Sequence, residues 1–167
     1  AKTVLKLAKT HLAQFPTASY NKGMADETST IEKLPPQNLE AEVALLGALM
    51  IDKDAIIKIG DILNHEDFYK ESHGLIFESM KNLFSHNEPI DILTLSNLLE
   101  EKGKLGQIGG RTYLAKLSTS VATSSHIVHY ANIIQRKATL RRLLHTAAEI
   151  TELGHHEEDD LDKILDQ

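Results

Sequence analysis

Histidines and carboxylates are the side chains with which this chain could bind a metal ion or catalyse a reaction. His126 and His129 lie three residues apart, a spacing that can place both rings on one face of a helix. No third ligand follows at a recognisable spacing, and the HExxH pattern of zinc peptidases is absent. We therefore interpret this pair as a solvated helix end. His155–His156 beside Glu157–Asp160 could trap a cation, but the sequence favours a solvated polar turn.

Nucleotide binding and nucleophilic catalysis find no support in the sequence motifs. The phosphate-binding pattern GxxxxGK[ST] and the nucleophile pattern GxSxG are both absent. Gly103, Gly106 and Gly109–Gly110 resemble a glycine-rich phosphate loop only loosely, because no strand is predicted before them, and we interpret them as a turn before a helix. His73 lies on an apolar helix face, which is typical of a hydrogen-bonded core or boundary histidine. We expect no catalytic residue, cofactor or metal in this chain.

The charge distribution argues against direct nucleic-acid binding. The net charge is −6, but residues 1–25 carry four lysines and no acid, so the rest of the chain has a net charge of −10. An acidic body repels phosphates, and aromatic residues, which could stack on bases, make up only 5%. One basic cluster remains, at Arg136–Lys137 and Arg141–Arg142. We expect its side chains either to pair with acids of a neighbouring subunit or to interact favourably with the dipole of their own helix, toward its centre and C-terminal half. The chain has no cysteine, and no apolar run approaches a membrane span.

Helical periodicity begins at Leu34. Asn38, Asp52 or Asp54, Asn64, Asp91 and Ser125 are predicted to cap successive helices or turns. The first helix is predicted to present Leu39, Val43, Leu46 and Met50 on one face, with close packing at Gly47. The second carries Ile56, Ile59 and Leu63, the third His73, Ile76, Phe77, Met80, Leu83 and Phe84, and the fourth Ile92, Leu95, Leu98 and Leu99, followed by Gly103. A short helix at Thr112–Leu117 comes next, and no stretch indicates a strand.

Residues 1–33 lie outside this pattern. Residues 2–15 could form a short amphipathic helix, and residues 16–33 have the composition of a linker. Met24 suggests a natural start, so the preceding residues are either an appended segment, such as a tag remnant, or a native extension. A targeting peptide is disfavoured because no apolar core of 7–15 residues is present.

The longest predicted helix, Ile127–Leu153 with Gly154 at its end, has two apolar stripes. One contains Tyr130, Ile133, Leu140, Leu144 and Ala147, the other contains Ile127, Ala131, Ile134 and Ala138, and Leu143 and Ile150 widen the apolar surface. A helix packed on a single core needs one stripe. The second stripe indicates another partner, either a helix begun by residues 161–167 or another subunit, unless the head covers both faces.

Five segments of this sequence resemble, in order and spacing, the N-terminal domain of bacterial replicative DNA helicases of the DnaB type. They are LPPQNLEAEVALLGALMID (34–52), EDFY with SHGLIFESM (66–80), PIDILTL (89–95), IGGRTYLAKL (108–117) and HYANIIQRKATLRRLLHTAAEI (129–150). The resemblance runs from about Leu34 to the end of the chain. No single segment is diagnostic, but five in register are specific.

The resemblance implies an all-α fold with a compact helical head of five to six helices, followed by an antiparallel helical hairpin. By matching position, residues 1–33 are the extension or linker, 34–124 the head and 125–167 the hairpin, with its second helix cut off after it begins near Leu161. Hairpins of this family pair between subunits into a hexameric collar on which the primase C-terminal domain docks. The expected subunit or primase interface therefore comprises Tyr130, Ile133, Ile134, Leu140, Arg141, Leu143, Leu144, Ala147 and Ile150.

The same resemblance places ATP, Mg²⁺ and DNA unwinding in a motor domain beyond Gln167. This chain is thus expected to be a scaffold rather than an enzyme, to meet single-stranded DNA only through the complete ring, and to act in the cytoplasm at the replication fork without contacting a membrane. The alternatives are the helicase-binding domain of a primase, which is similar in fold, and a helical DNA-binding regulator. A metal-dependent hydrolase is the least favoured.

Overall fold

The computed structural model describes residues 34–155, which lie in one compact unit. Every regular element in this range is helical, which confirms the all-α prediction. The elements are α1 (Leu39–Ile51), 3-10 helices at Lys53–Lys58 and His65–Asp67, α2 (Glu71–Ser85), α3 (Ile92–Glu101), α4 (Gly110–Ser118) and α5 (Ile127–His155). The predicted extension at 1–33, the acidic turn after His155 and the hairpin helix from Leu161 fall outside the described residues.

Helix starts follow the predicted capping residues. The Asn38 side chain accepts a hydrogen bond from the Ala41 amide at 2.9 Å, and the Asp91 carboxylate accepts from the Thr94 amide at 2.9 Å. Such caps satisfy amides that the first helical turn leaves without partners. At the predicted Asn64 cap, the Asp67 carboxylate accepts from the Asn64 amide at 2.8 Å, which closes the short turn before α2.

The predicted second helix is a 3-10 segment, capped by Asp52, whose side chain accepts from the Asp54 amide at 3.1 Å. Its predicted apolar residues Ile56, Ile59 and Leu63 are buried. Gly103, with φ +66°, follows α3 in the left-handed conformation that ends many helices, as predicted. Ser125, by contrast, pairs its hydroxyl with that of Thr123 before α5.

The predicted face of α1 needs correction. Leu46 is fully buried, but Leu39 is 41% exposed, and Leu45 and Leu49 are buried instead. The reason is that α2, α4 and α5 all pack against α1, so more than one side of this helix faces the core. Small residues make that approach possible: a Cβ atom at Gly47 would lie 2.6 Å from the Leu117 carbonyl oxygen, which confirms the predicted close packing.

Helix α5 completes this core with its first half. One of its two predicted stripes, Ile127, Ala131, Ile134 and Ala138, is buried, mainly against α1. Gly154 does not end the helix, which runs to His155, because an internal glycine costs only about 1 kcal/mol of helix stability. Because the first half of α5 packs on the core, the head from here on means residues 34–138, and residues 139–155 are called the stem. None of the helices at 34–155 is both long and apolar enough to cross a membrane.

Candidate interaction surface

The histidines that could have formed a metal site do not converge within the described part of the chain. His126 and His129 each lie near the Tyr130 ring, with ring centroids 6.5 and 6.4 Å from it. Between residues 34 and 155, no three His, Cys, Asp or Glu side chains are grouped to hold a metal ion. The side chains at 155–160 lie outside the described residues.

A buried polar network connects three helices of the head. Glu42 on α1 is 1% exposed, and its carboxylate accepts from the Tyr69 amide at 2.7 Å and the Lys70 amide at 3.4 Å. The same carboxylate lies 2.6 Å from Nδ1 of His73 on α2. A carboxylate only accepts, so Nδ1 must carry the proton. Nε2 of His73 lies 2.5 Å from the hydroxyl of Tyr113 on α4.

This network is a structural crosslink, in agreement with the prediction of a hydrogen-bonded His73. Every polar atom of the Glu42 and His73 side chains has a partner, as buried polar groups require. Sequence reasoning predicted a hydrogen-bonded His73 but not its partners. The available signal was an acid among the apolar residues of α1, but no spacing links positions 42, 73 and 113.

Four of the ten large apolar side chains that are exposed in the described part of the chain lie together on the stem. Leu140, Leu143, Leu144 and Ile150 are 39%, 65%, 57% and 64% exposed, and Ala147 is also exposed. At 3.6 residues per turn, these five residues share one side of α5. We call them the seam. They lie roughly opposite the stripe that packs on the core, so the apolar surface of α5 changes sides where the helix leaves the head.

The predicted interface residues therefore fall into different environments. Ile134 is only 2% exposed and belongs to the core, so its place in an interface is withdrawn. Tyr130 and Ile133 are partly buried against the same core. The five residues of the seam are exposed, and Arg141 is half-buried. Periodicity identified both stripes of α5, but it could not say which one the head would cover.

Arg141 and Arg142 join the stem to the head. Arg141 donates to the Pro36 carbonyl at 2.9 Å and to the Asp67 carbonyl at 2.6 Å, and its guanidinium lies 5.7 Å from the Tyr69 ring centroid. Arg142 donates to the Asp67 carboxylate at 2.6 Å. We call Asp67, Arg141 and Arg142 the clamp. Both arginines thus have partners within the chain, and their pairing with acids of a neighbouring subunit stays a prediction.

Comparison with known proteins assigns this helical head to a family. A family model described as the DnaB-like helicase N terminal domain matches residues 34–136. The chain belongs to this family. The match includes all of α1–α4 and the half of α5 that packs on the head.

Two relatives match about four-fifths of the chain. The replicative DNA helicase DnaB of Geobacillus stearothermophilus is 40% identical over 136 residues, which are 81% of this chain and 30% of that protein. The chain thus spans about a third of such curated relatives. The crystal structure of the N-terminal domain of DnaB helicase from Mycobacterium tuberculosis is 34% identical, with a TM-score of 0.75, and the match covers 79% of this chain and 93% of that one.

A third similarity is to a DnaB-like replicative helicase whose structure describes its interactions with primase. It is 27% identical with a TM-score of 0.61, and the match covers 69% of this chain and 27% of that one.

Proposed function

We propose that this domain assembles a hexameric replicative DNA helicase, by pairing stems between subunits, and provides the collar on which primase docks. ATP-driven unwinding belongs, on this proposal, to a separate motor domain, which also supplies the contacts with single-stranded DNA. The protein works in the cytoplasm at the replication fork. The observation that carries the proposal is the seam, because an apolar face on a projecting helix needs a partner.

The energetic argument rests on the size of the seam. Burying a leucine or isoleucine side chain contributes about 1.5–3 kcal/mol, and four such side chains are exposed along the stem. Association costs at least about 4 kcal/mol in lost translational and rotational freedom. When the seams of two copies meet, eight large side chains are buried. The free energy gained by burial is therefore large enough to offset the cost of association.

Two occupants of the seam are compatible with the sequence. One is a second copy of the chain. The other is the helix that begins near Leu161, which could fold back on the stem as the other half of a hairpin. In the first case burial of the seam depends on protein concentration, whereas in the second it does not. The two arrangements can also coexist, with the hairpin as the pairing unit.

Primase docking is supported by the family relationship. The DnaB-like helicase with 27% identity has a structure that describes interactions with primase. We place the docking of the primase C-terminal domain on the assembled collar, without assigning contact residues beyond the predicted stem positions. A titration of the assembled domain with an isolated primase C-terminal domain tests this part, and an absence of binding at tens of micromolar would contradict it.

Self-assembly is tested by sedimentation equilibrium over a concentration series. Leu144→Asp and Ile150→Asp place a charge in the seam and should reduce the mass toward that of a monomer while helical content is retained. The control is Leu93→Asp, because Leu93 is 63% exposed on α3 of the head and lies away from the seam. A parent chain that stays monomeric at high concentration, or a control that dissociates equally, would refute the proposal.

A further inference from the structure

The stem leaves the head at a defined point on α5. Ala138 is the last residue of α5 whose side chain is buried, and every side chain described beyond it, up to position 152, is exposed except that of the half-buried Arg141. On the face that pointed into the core, the helix continues with Arg142, His145 and Glu149, which are polar. Among the described residues, buried apolar packing thus stops at Ala138, and the clamp continues the attachment beyond it.

The clamp gathers three separate segments at this point. The two terminal nitrogens of Arg141 divide between the chain that precedes α1, through the Pro36 carbonyl, and the turn that precedes α2, through the Asp67 carbonyl. A planar guanidinium with its donors in a fixed fork holds two acceptors in one orientation, which a lysine cannot do. The backbone of α5 is therefore fixed in direction as well as in position.

Asp67 is the centre of the clamp. Its side chain is 6% exposed, and its two oxygens have different partners: one accepts from the Asn64 amide at 2.8 Å, the other from Arg142 at 2.6 Å. The Asn64 bond fixes the carboxylate rigidly within its own turn, so Arg142 meets an acceptor that cannot follow the stem if it tilts. The carbonyl of the same residue receives Arg141.

We infer that Asp67 is a positioning residue, which acts through Arg141 and Arg142 to set the direction in which the stem leaves the head. This inference rests on the proposed function in one respect only: the direction of the stem also sets the direction in which the seam meets a second copy. The clamp itself belongs to a single chain. Its loss moves the last fixed point of α5 back by one helical turn, to Ala138.

The geometry gives the size of the expected effect. The position of Glu152 lies roughly 15 Å along the helix from Arg142 but roughly 21 Å from Ala138, at 1.5 Å per residue. For the same angular spread, the positional spread at Glu152 therefore increases by about 1.4-fold when the clamp is lost. A looser attachment at Ala138 adds to this, so 1.4-fold is the lower bound of the expectation.

The test is a distance distribution between two spin labels in the full chain. The sequence has no cysteine, so labels can be attached to Lys116→Cys on α4 and Glu152→Cys on the stem, both exposed positions. Measurements are made in a Leu144→Asp background at low concentration, so that a second copy does not hold the stem. Arg141→Gln combined with Arg142→Gln removes the whole clamp and should broaden the distribution at least about 1.4-fold. Asp67→Asn and Arg142→Gln, which leave the two carbonyl bonds of Arg141 in place, should each broaden or shift it by less, and Arg142→Lys, which keeps the charge, should restore part of its sharpness.

Controls separate positioning from general damage to the fold. Glu100→Gln breaks the exposed pair with Arg111, whose closest atoms are 3.3 Å apart, and should leave the distribution unchanged. Asp67→Asn could unfold the turn, so Arg142→Gln, at a side chain that is 60% exposed, provides the second variant. Variants that keep the parent's circular dichroism and still give the parent's distribution would overturn the inference.

The consequence for assembly is measured separately, by sedimentation of the same clamp variants with the seam intact. We expect association to weaken by about tenfold, because pairing must then also restrain the loosened stem, at a cost of about 1.4 kcal/mol. If the distances broaden while association stays at the parent's strength, the link between stem direction and assembly is refuted. If the parent itself does not associate, the proposed function fails, while the distance measurement still decides whether Asp67 positions the stem.

Discussion

Replacing Glu42 with leucine removes the carboxylate at the centre of the buried polar network of the head. Three donors then lose their acceptor: the Tyr69 amide, the Lys70 amide and the His73 ring. Leaving a buried donor unsatisfied costs about 1–3 kcal/mol. The Lys70 amide, at 3.4 Å from the carboxylate, contributes least to this loss of stability. Two full losses therefore predict a decrease of about 2–6 kcal/mol in the free energy of unfolding, a large part of the roughly 5–15 kcal/mol of an ordinary domain.

The assay is urea unfolding followed by far-ultraviolet circular dichroism. Glu40→Leu is the matched control, because Glu40 lies two residues earlier on α1, is exposed and undergoes the same substitution. Glu40→Leu should lower the free energy of unfolding by no more than about 1 kcal/mol, the usual size of a charge effect at a helix N-terminus. The Glu42→Leu variant should unfold at a much lower urea concentration with the same slope. If the two variants are equally stable, Glu42 does not hold the head together in the way its hydrogen bonds indicate.

Three further outcomes are expected. Gly47→Val should destabilise the head by about 2 kcal/mol or more in the same urea assay, because its Cβ would meet the Leu117 carbonyl oxygen at 2.6 Å, whereas Gly106→Ala, with open space around it, should be neutral. The chain should show no saturable ATP turnover in a phosphate-release assay, since its sequence has no phosphate-binding motif; turnover that saturates with ATP would contradict this. DNA binding by fluorescence anisotropy should be weaker than micromolar in about 150 mM salt, because the body is acidic, and tighter binding would contradict it.

The helices and their starts were predictable because the relevant signals are local. Asn38 and Asp91 cap helices through amides three residues away, and a cap followed by apolar residues at helical spacing is visible in the sequence. The fully buried face of α1 was not predictable from its own pattern, because it depends on how many neighbours pack against that helix. The predicted face of α1 is wrong there, because Leu39 is exposed.

The candidate site was predictable in part, for a similar reason. Two stripes on α5 follow from residue spacing, but the choice of the stripe that faces the head is a property of the tertiary structure. The clamp was not foreseeable, since Arg141 binds the carbonyl groups of Pro36 and Asp67. Every residue has a backbone carbonyl group, so the sequence does not indicate which of them will accept a hydrogen bond from an arginine.

Whether the seam is the surface through which copies of this chain meet can be measured directly by thiol protection. In the cysteine-free chain, Ala147→Cys places a thiol in the seam, and Glu149→Cys places one on the opposite, polar side of the same helix. We predict that the rate of alkylation at position 147 falls severalfold as protein concentration rises, while the rate at position 149 stays constant. Equal rates at all concentrations, or equal protection on both sides, would contradict the account.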